Sequence, residues 1–304
     1  MKRRSHSPRD IAGEISAKFI AKLEQGVRPW SRPWRSAGAR RPLRFNGQRY
    51  SGINVIVLWM TADEAGYRSP FWMTYRQAEE IGGQVRRGEH GTTSVYYSSF
   101  EKNEDGPAGN EVTKTVRFLK SYSVFNADQI DGLPPHFYVH DEAPLAAPSE
   151  RQDAIDAFVR DLPAKIRHGG NSAYFSPSAD TIQMPRPEQF VSADHYASTL
   201  AHEATHWTGH ENRLARAFGK RFGDDAYAFE ELVAEIGSAL VCAELQLPHE
   251  LDDHHAAYLA HWIKILKGDK SAIIHAAAKA EQAFGYLMDI LEQARKETHH
   301  ALAA

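Results

Sequence analysis

The stretch ADHYASTLAHEATHWTGH, residues 193–210, decides the interpretation of the chain. His202 and His206 are four residues apart, and in an α-helix that spacing places both imidazoles on one face, one turn apart. Ser192 is a suitable N-cap and Gly209 a suitable stop, so we predict a helix that runs through His206. Two imidazoles on one face can bind the same zinc ion. The alternative is a chance match in a chain with 16 histidines.

Glu203 follows the first of these histidines and can face a water molecule bound to the same ion. A carboxylate in that place accepts a proton from the water, while the metal lowers the pKa of the water and polarises a carbonyl group. The segment therefore predicts a zinc-dependent metallopeptidase with Glu203 as the catalytic base. Mn²⁺ and Co²⁺ bind to the same types of ligand, so the spacing leaves the identity of the ion open.

A second acidic helix is predicted near 225–245, and its EELVAE segment supplies a third ligand. We expect Glu231 to bind the metal and Glu235, one turn later, to orient a ligand histidine. Spacing alone does not fix the ligand set, and Glu235, Glu230 or His210 are alternatives to Glu231. Apolar neighbours place this helix in the core and leave Glu230 as the carboxylate on the solvated face.

The chain divides into two parts with different patterns. We predict an α+β protein, with a small N-terminal α+β domain over 1–140, a linker over 140–150 and a mainly helical domain with a short β-sheet over 150–304. Helices are predicted near 11–23, 151–162, 192–206, 225–245, 252–267 and 270–296, hairpin strands at 92–100 and 112–125, and short strands at 173–175 and 181–184.

The charges are distributed unevenly along the chain. Residues 1–50 contain 13 basic and 3 acidic residues, whereas residues 141–304 contain 15 basic and 25 acidic residues. A strongly basic N-terminal segment favours a polyanionic partner. A basic flexible arm without a dedicated partner is the alternative.

The sequence contains no signal for a membrane or for secretion. No apolar run approaches the roughly 18 residues of a membrane span, and the N-terminus has no apolar stretch behind its charges. The one cysteine, Cys242, excludes an intrachain disulfide and is predicted to be a small core residue. We therefore expect a cytoplasmic protein with no membrane partner.

Aromatic and basic residues alternate in RPWSRPWR, residues 28–35. Single-stranded nucleic acid binds to cationic grooves in which bases stack on aromatic rings, and this segment offers both chemistries. The alternative is that the tryptophans close the core of a small domain. The predicted DNA-binding residues are Arg28, Trp30, Arg32, Trp34, Arg35, Arg44, Arg49 and Tyr50.

The motifs in their order resemble the ArdC-type antirestriction proteins of conjugative plasmids. The first half is similar to the N-terminal domain shared with TraC-type plasmid primases, and the second to a zincin-like metallopeptidase domain. The segments that carry the resemblance are the PW-x-x-PW repeat at 29–34, YSGIN at 50–54 with Trp59, FWMTYRQAEEIGGQVRRGEHGT at 71–92, HEATHWTGH at 202–210, FEELVAEIGSAL at 229–240 and YLAHWIKILKGD at 258–269.

The resemblance implies a function that composition and periodicity do not show. It implies a single-stranded-DNA-binding domain joined to a zincin-like peptidase, which together protect incoming plasmid DNA from restriction enzymes. The protein substrate is unknown, and a component of the restriction system is a candidate. The alternative is a protein that protects DNA by coating it, with a metal site that is structural or regulatory. A DNA-processing enzyme is disfavoured because residues 1–140 contain neither an acidic triad nor a P-loop.

Overall fold

The computed structural model confirms the α+β class, with helices and short sheets in both halves of the chain. Among the described residues, no helix is both long and apolar enough to cross a membrane. The structure describes residues 9–30, 40–105, 111–138, 147–218, 224–250 and 256–303.

The N-terminal half packs short helices against small sheets. Helix α1 buries the predicted stripe of Ile15, Phe19 and Leu23, and α3 begins at the capping box that Thr74 forms with Gln77. Its helices are α1 (Ile11–Glu24), α2 (Ile53–Ala65) and α3 (Tyr75–Glu80). Its strands are β1 (Leu43–Arg44), β2 (Phe71–Met73), β3 (Gln84–Val85), β4 (Thr92–Asp105), β5 (Glu111–Asn126) and β6 (Ile130–Asp131).

The predicted hairpin is the centre of this half. Strands β4 and β5 pair antiparallel from Thr92 opposite Val124 to Asp105 opposite Glu111, so the strands extend beyond their predicted ends. Strands β2 and β1 complete a sheet in the order β1-β2-β5-β4, and β3 pairs with β6 in a separate two-stranded sheet.

The C-terminal half contains one small sheet and five helices among the described residues. Its elements are α4 (Pro148–Asp161), β7 (Lys165–His168), β8 (Tyr174–Ser176), β9 (Thr181–Met184), α5 (Ala193–Thr208), α6 (Asp225–Leu245), α7 (Ala256–Gly268) and α8 (Ala272–Ala303). Helix α4 starts within the segment predicted as a linker, because Pro148 suits the first turn of a helix. The rest of that segment, up to residue 146, lies outside the described residues.

The small sheet ends in an open edge beside α5. Its order is β7-β9-β8, with β7 parallel and β8 antiparallel to β9. Strand β7 is absent from the sequence prediction, because its two exposed basic residues and His168 leave only Ile166 as an apolar signal. Strand β8 is therefore an edge strand among the described residues, with one side available for pairing.

Helices α5 and α6 approach closely at Gly237. A Cβ atom on Gly237 would lie 2.5 Å from Cγ2 of Thr205, which is far too short for a contact between carbons. The absence of a side chain at this residue therefore sets the separation of the two helices, and with it the distance between the side chains that they present to each other.

The two halves share one buried core. The larger of the two buried apolar clusters among the described residues takes side chains from both halves, and Ser16 of α1 donates to the carbonyl of Leu266 on α7. The YSGIN segment makes a second junction, where Gly52, at φ 58°, donates its N–H to Glu281 of α8. The two halves therefore pack against each other through a common core. The domain boundaries are still a prediction.

Candidate metal centre

Helices α5 and α6 bring three of the predicted ligands together. Nε2 of His202 lies 3.5 Å from Oε2 of Glu231, and Nε2 of His206 lies 3.5 Å from Oε1 of the same carboxylate. All three side chains are buried, and the two imidazole rings are nearly perpendicular, with centroids 4.8 Å apart. The i, i+4 spacing on α5 and the close crossing with α6 thus produce one compact cluster.

The cluster fits a divalent cation in its donor types and in its dimensions. Its three ligand atoms lie within 4.8 Å of one another. Bonds of about 2.0 to 2.1 Å in a tetrahedral zinc site place neighbouring ligand atoms about 3.4 Å apart, close to the distances observed here. In the described part of the chain, this is the only group of three such side chains that meets these conditions, and it excludes Glu235, Glu230 and His210.

The electrostatics of the cluster favour a cation. Burial opposes ionisation of Glu231, but the imidazoles of His206 and His202 hold the pKa of this carboxyl well below its ordinary value. Burial likewise opposes a charge on His206, yet the carboxylates of Glu231 and Glu230 raise its pKa to about 10. Glu231 and Glu230 together therefore stabilise a positive charge at this point, whether a protonated His206 or a bound cation carries it.

Glu203 lies beside the cluster, as the sequence predicts. Burial raises the pKa of its carboxyl, and the imidazoles of His202 and His206 oppose that change. The backbone N–H of Phe175, at the centre of edge strand β8, hydrogen-bonds to Glu203. A carboxylate with a raised pKa is a stronger base than an ordinary glutamate, which suits proton transfer.

Glu230 corrects the sequence interpretation, which placed it on the solvated face of its helix. Its side chain is 3% exposed, and Oε1 lies 3.3 Å from Nδ1 of His206. A hydrogen bond to Nδ1 fixes the tautomer and the orientation of the ring and leaves Nε2 directed at Glu231. The carboxylate that contacts a predicted ligand histidine is therefore Glu230, adjacent to the predicted ligand Glu231, and not Glu235.

Arg216 makes this burial of Glu230 possible. Its Nε lies 3.1 Å from both carboxylate oxygens, and Nη2 lies 2.8 Å from Oε1. The same guanidinium donates to the carbonyl of Thr205 at 2.6 Å and to the hydroxyl of Thr208 at 2.8 Å, at the end of α5. A bidentate partner with further bonds compensates the desolvation of a buried carboxylate. Arg216 and His206 together hold the pKa of Glu230 below its ordinary value, against the effect of burial.

Two tyrosines complete the surroundings of Glu231. Tyr227, one turn earlier on α6, hydrogen-bonds to Glu231 and to Tyr258 of α7. Burial and the nearby Glu231 raise the pKa of Tyr227, and burial raises the pKa of Tyr258 to about 12. Both phenols are therefore protonated at neutral pH and present donors beside the predicted metal ligand.

Glu235 has a different partner from the one that the sequence predicts. Its side chain is completely buried, and Oε2 accepts a 2.7 Å hydrogen bond from the indole Nε1 of Trp30. Nη1 of Arg28 lies 3.8 Å from Oε1. The carboxylate thus contacts the N-terminal half and not a ligand histidine.

The structure also corrects the prediction that Trp30 and Tyr50 stack on bases. Their exposed fractions are 1% and 2%, so neither ring offers a face to a nucleobase. Trp59 and Trp72 are also buried core residues. Three further predicted DNA-binding residues, Arg32, Trp34 and Arg35, lie outside the described residues.

Several arginines of the basic segment contact groups of the protein itself. Arg49 pairs with Glu244 of α6 at 2.7 Å, and Arg41 pairs with Glu281 of α8 at 2.7 Å. The guanidinium of Arg44 lies 5.0 Å above the ring of Tyr50. Part of the charge asymmetry is therefore complementarity between the two halves of the chain.

The sequence prediction missed Arg216, Tyr227 and Tyr258, and it gave Glu230 a different role. Tyr227 had a signal, because it precedes Glu231 by four residues and must share a helix face with it. Arg216 had none, since it lies in the loop after α5, where its partner depends on the course of the chain.

Family models match both halves of the chain. Residues 153–279 match the model of a zincin-like metallopeptidase, and residues 9–125 match the model of the N-terminal domain of the anti-restriction factor ArdC. The fold and the His-His-Glu cluster therefore define a zincin-like, metal-binding metallopeptidase domain behind an ArdC N-terminal domain.

Similar proteins extend these matches over nearly the full length. Crystal structures of the antirestriction protein ArdC from plasmid R388 match at TM-scores of 0.79 for the metal-free form and 0.77 for the Mn(II)-bound form. The metal-free form is 45% identical and covers 94% of this chain and 99% of that one; the Mn(II)-bound form is 44% identical and covers 93% and 98%. The chain belongs to the ArdC family of antirestriction proteins.

Two curated relatives differ in length, one similar to this chain and one much longer. It is 36% identical over 287 residues to the uncharacterized protein y4eC of Sinorhizobium fredii, with 92% of each chain covered. It is also 38% identical over 296 residues to the DNA primase TraC of Escherichia coli, and this match covers 90% of the present chain. The match spans 27% of that primase, so it concerns one part of a much longer protein.

Proposed function

We propose that this protein is an antirestriction factor that binds single-stranded DNA through its N-terminal half and hydrolyses peptide bonds at the metal centre. His202, His206 and Glu231 hold the metal, and Glu203 is the base. The observation that carries the peptidase assignment is the buried cluster of two imidazoles and one carboxylate at 3.5 Å, with a second carboxylate, that of Glu203, beside it.

Zinc is the proposed ion, because two imidazoles and one carboxylate are the donor set of many catalytic zinc sites. Mn²⁺ and Co²⁺ suit the same donors, and the ArdC protein of R388 has been crystallised with Mn(II). When bound, such an ion lowers the pKa of a water ligand and polarises the scissile carbonyl.

The remaining chemistry belongs to the side chains of this chain. Glu203 accepts a proton from the attacking water and delivers it to the nitrogen of the leaving amine. Burial raises the pKa of Glu203, which makes its carboxylate a stronger base than an exposed glutamate. Glu230 keeps His206 in one tautomer throughout.

Edge strand β8 offers a place for an extended peptide. Its side opposite β9 is unpaired among the described strands, and the N–H of Phe175 reaches Glu203. A substrate that adds to this edge as a further strand passes the catalytic carboxylate with its backbone held by hydrogen bonds. The substrate class is therefore an unfolded or extended polypeptide segment.

Glu203→Gln tests the peptidase. We expect the rate of cleavage of fluorescein-labelled casein to fall by about 10² to 10⁴, the usual contribution of a general base. Bound zinc, measured by atomic absorption, should stay near the level of the unmodified protein, since Glu203 is not a ligand. Cleavage at an unchanged rate by the metal-loaded variant would show that Glu203 is not the base.

The nucleic-acid function is proposed for the same basic segment with fewer residues than the sequence predicts. Its support is the match of residues 9–125 to the ArdC N-terminal domain and the likeness to TraC primases. Trp30 and Tyr50 are withdrawn because their rings are buried. Arg32, Trp34 and Arg35 remain as the proposed contacts, because Arg28, Arg44 and Arg49 contact groups of the protein itself.

Fluorescence anisotropy of a labelled single-stranded oligonucleotide tests this assignment in the full-length chain, because the two halves share a core. Replacing Arg32 and Arg35 by Gln should weaken binding and reduce its dependence on salt concentration. Arg49→Gln is the matched control, since the Arg49 guanidinium is paired with Glu244. Equal affinities for all three proteins would remove this segment from the interface.

The coating hypothesis makes a different prediction for the same catalytic variant. If Glu203→Gln keeps full antirestriction activity in conjugation assays while the Arg32 and Arg35 variant loses it, protection depends on DNA binding alone. A purely structural metal is disfavoured, because ArdC of R388 has the same similarity to this fold with and without Mn(II), at TM-scores of 0.77 and 0.79.

A further inference from the structure

We propose that Trp30 and Arg28 of the N-terminal half are positioning residues of the metal centre. They hold helix α6 through Glu235 and thereby fix the side chain of Glu231, one turn earlier. The inference rests on the proposed function in one respect, the assignment of Glu231 as a metal ligand. It gives residues 28–30 a role in metal binding that is separate from the proposed binding of nucleic acid.

The contact between Trp30 and Glu235 joins residues that are 205 positions apart. The indole Nε1 donates a 2.7 Å hydrogen bond to Oε2, and both side chains are buried, at 1% and 0% exposure. Nη1 of Arg28 lies 3.8 Å from Oε1 and pairs a positive charge with this carboxylate. A buried carboxylate depends on such partners for its place in the core.

Glu235 and Glu231 share one face of α6. Residues four apart on a helix are neighbours separated by one turn. A contact that fixes the position of Glu235 therefore also restricts the position of Glu231, because one rigid turn of backbone joins them. Rotation of α6 about its axis, or movement along it, therefore shifts Glu231 relative to the two histidines of α5.

A second contact of Trp30 acts on the other side of Glu231. The ring of Trp30 meets the ring of Trp262 edge to face, with centroids 5.3 Å apart. Trp262 in turn donates its indole N–H to the carbonyl of Ala228 on α6 at 2.9 Å. The two contacts reach α6 three residues before Glu231 and four residues after it, so they fix the turn that carries the ligand.

The geometry that is fixed in this way has a narrow tolerance. Metal ligation depends on ligand positions within a few tenths of an ångström, and loss of the groups that support ligands commonly reduces metal affinity by about 10- to 100-fold. Trp30 therefore contributes to the metal centre although its own side chain touches neither the histidines nor Glu231.

The test compares two buried tryptophans of the N-terminal half in the full-length protein. Trp30→Phe keeps an aromatic ring but removes the N–H that binds Glu235. Trp72→Phe is the matched control, because Trp72 has the same 1% exposure but lies on β2, with its ring against Tyr67. Zinc affinity is measured by competition with a chromogenic chelator, below the unfolding temperature of each variant. The visible absorption of the Co²⁺-loaded proteins reports on ligand geometry.

We expect Trp30→Phe to bind zinc at least about tenfold more weakly and to alter the Co²⁺ spectrum. Trp72→Phe should lower the unfolding temperature, yet its zinc affinity should stay within about twofold of the unmodified protein. Equal affinities for Trp30→Phe and the unmodified protein overturn the inference and leave the proposed metal site intact. Equal losses in both variants also overturn it, because they reveal only a general loosening of the core.

Two further outcomes also decide between the inference and its alternatives. An unmodified protein that binds no metal refutes the proposed function, and the inference falls with it. If Trp30→Phe does not fold, Arg28→Gln decides the matter, since its side chain is 21% exposed and tolerates replacement. We expect about threefold weaker zinc binding from Arg28→Gln, and unchanged binding overturns the inference.

Discussion

The metal centre and the basic N-terminal segment were both predicted from residue types at short spacing in the sequence. The structure brings the predicted metal ligands together, but it places part of the predicted DNA-binding surface in the core. The spacing of His202 and His206 placed both rings in one cluster with Glu231. The alternating tryptophans and arginines led to a prediction in which Trp30 would stack on DNA, and the structure places Trp30 in the core against Glu235.

The difference shows what a local pattern can decide. Helix geometry converts a spacing of four residues into a fixed direction, whatever the rest of the protein does. The composition of a loop-like segment fixes no direction, so its side chains take whichever partners the fold brings near. Here those partners are the acidic residues of α6 and α8, among them Glu235, Glu244 and Glu281.

The largest expected effect is at the ligands, and it tests the claim that the centre is defined by helix spacing. His206→Ala should lose zinc binding, because one of three protein ligands is removed. The control is His210→Ala, two residues after the end of the same helix, since His210 lies outside the cluster. Metal content after dialysis measures both. Retention of zinc by His206→Ala, or its loss in His210→Ala, would contradict the assigned ligand set.

The next effect concerns the carboxylate that the sequence prediction misplaced. Glu230→Gln leaves Arg216 buried with a neutral partner and weakens the support of His206, so we expect a loss of about 3 to 5 kcal/mol in the free energy of unfolding. Zinc affinity should fall by about 10- to 100-fold. Glu244→Gln on the same helix is the control for chemical denaturation and zinc titration. Similar losses of stability and zinc affinity in the two variants would contradict the proposed role of Glu230 in supporting His206.

A smaller effect is expected where the two ligand helices cross. Gly237→Ala places a Cβ 2.5 Å from Cγ2 of Thr205, and overpacking of this kind destabilises by about 1 to 3 kcal/mol. Gly285→Ala on α8 is the matched control, because a Cβ there meets nothing within 4 Å. The control should gain about 0.5 to 1 kcal/mol from helix propensity. Thermal unfolding measures both, and a neutral Gly237→Ala would mean that the helices can move apart freely.

The smallest effects separate two arginines of the basic segment. The side chain of Arg41 is 4% exposed where it binds Glu281, whereas that of Arg49 is 53% exposed where it binds Glu244. We expect Arg41→Gln to cost about 2 to 3 kcal/mol and Arg49→Gln less than about 1 kcal/mol, since water screens the exposed pair. Urea denaturation distinguishes them. A larger loss for Arg49→Gln would reverse this ranking of buried and exposed pairs.

Much of the local structure of the chain, including the helices that carry the metal centre, was predictable from the sequence. The cap at Ser192, the full length of α5, the extent of α6 and the capping box at Thr74 all follow from short-range rules and agree with the structure. Glu231 was favoured among several alternatives because the EELVAE segment places it on the next acidic helix, one turn before a second carboxylate. Glu230 was misplaced because its burial depends on Arg216, which no periodicity connects to it.

The sequence by itself determined which residues lie on a common helix face, because the backbone geometry of a helix is the same in every protein. It thus paired His202 with His206 and placed Glu203 beside them. Only the tertiary structure decided the partners of the other charged and aromatic groups. Trp30 finds Glu235 across 205 residues, and Arg216 finds Glu230 across 14, because a buried charge takes the complementary group that packing brings within hydrogen-bond distance.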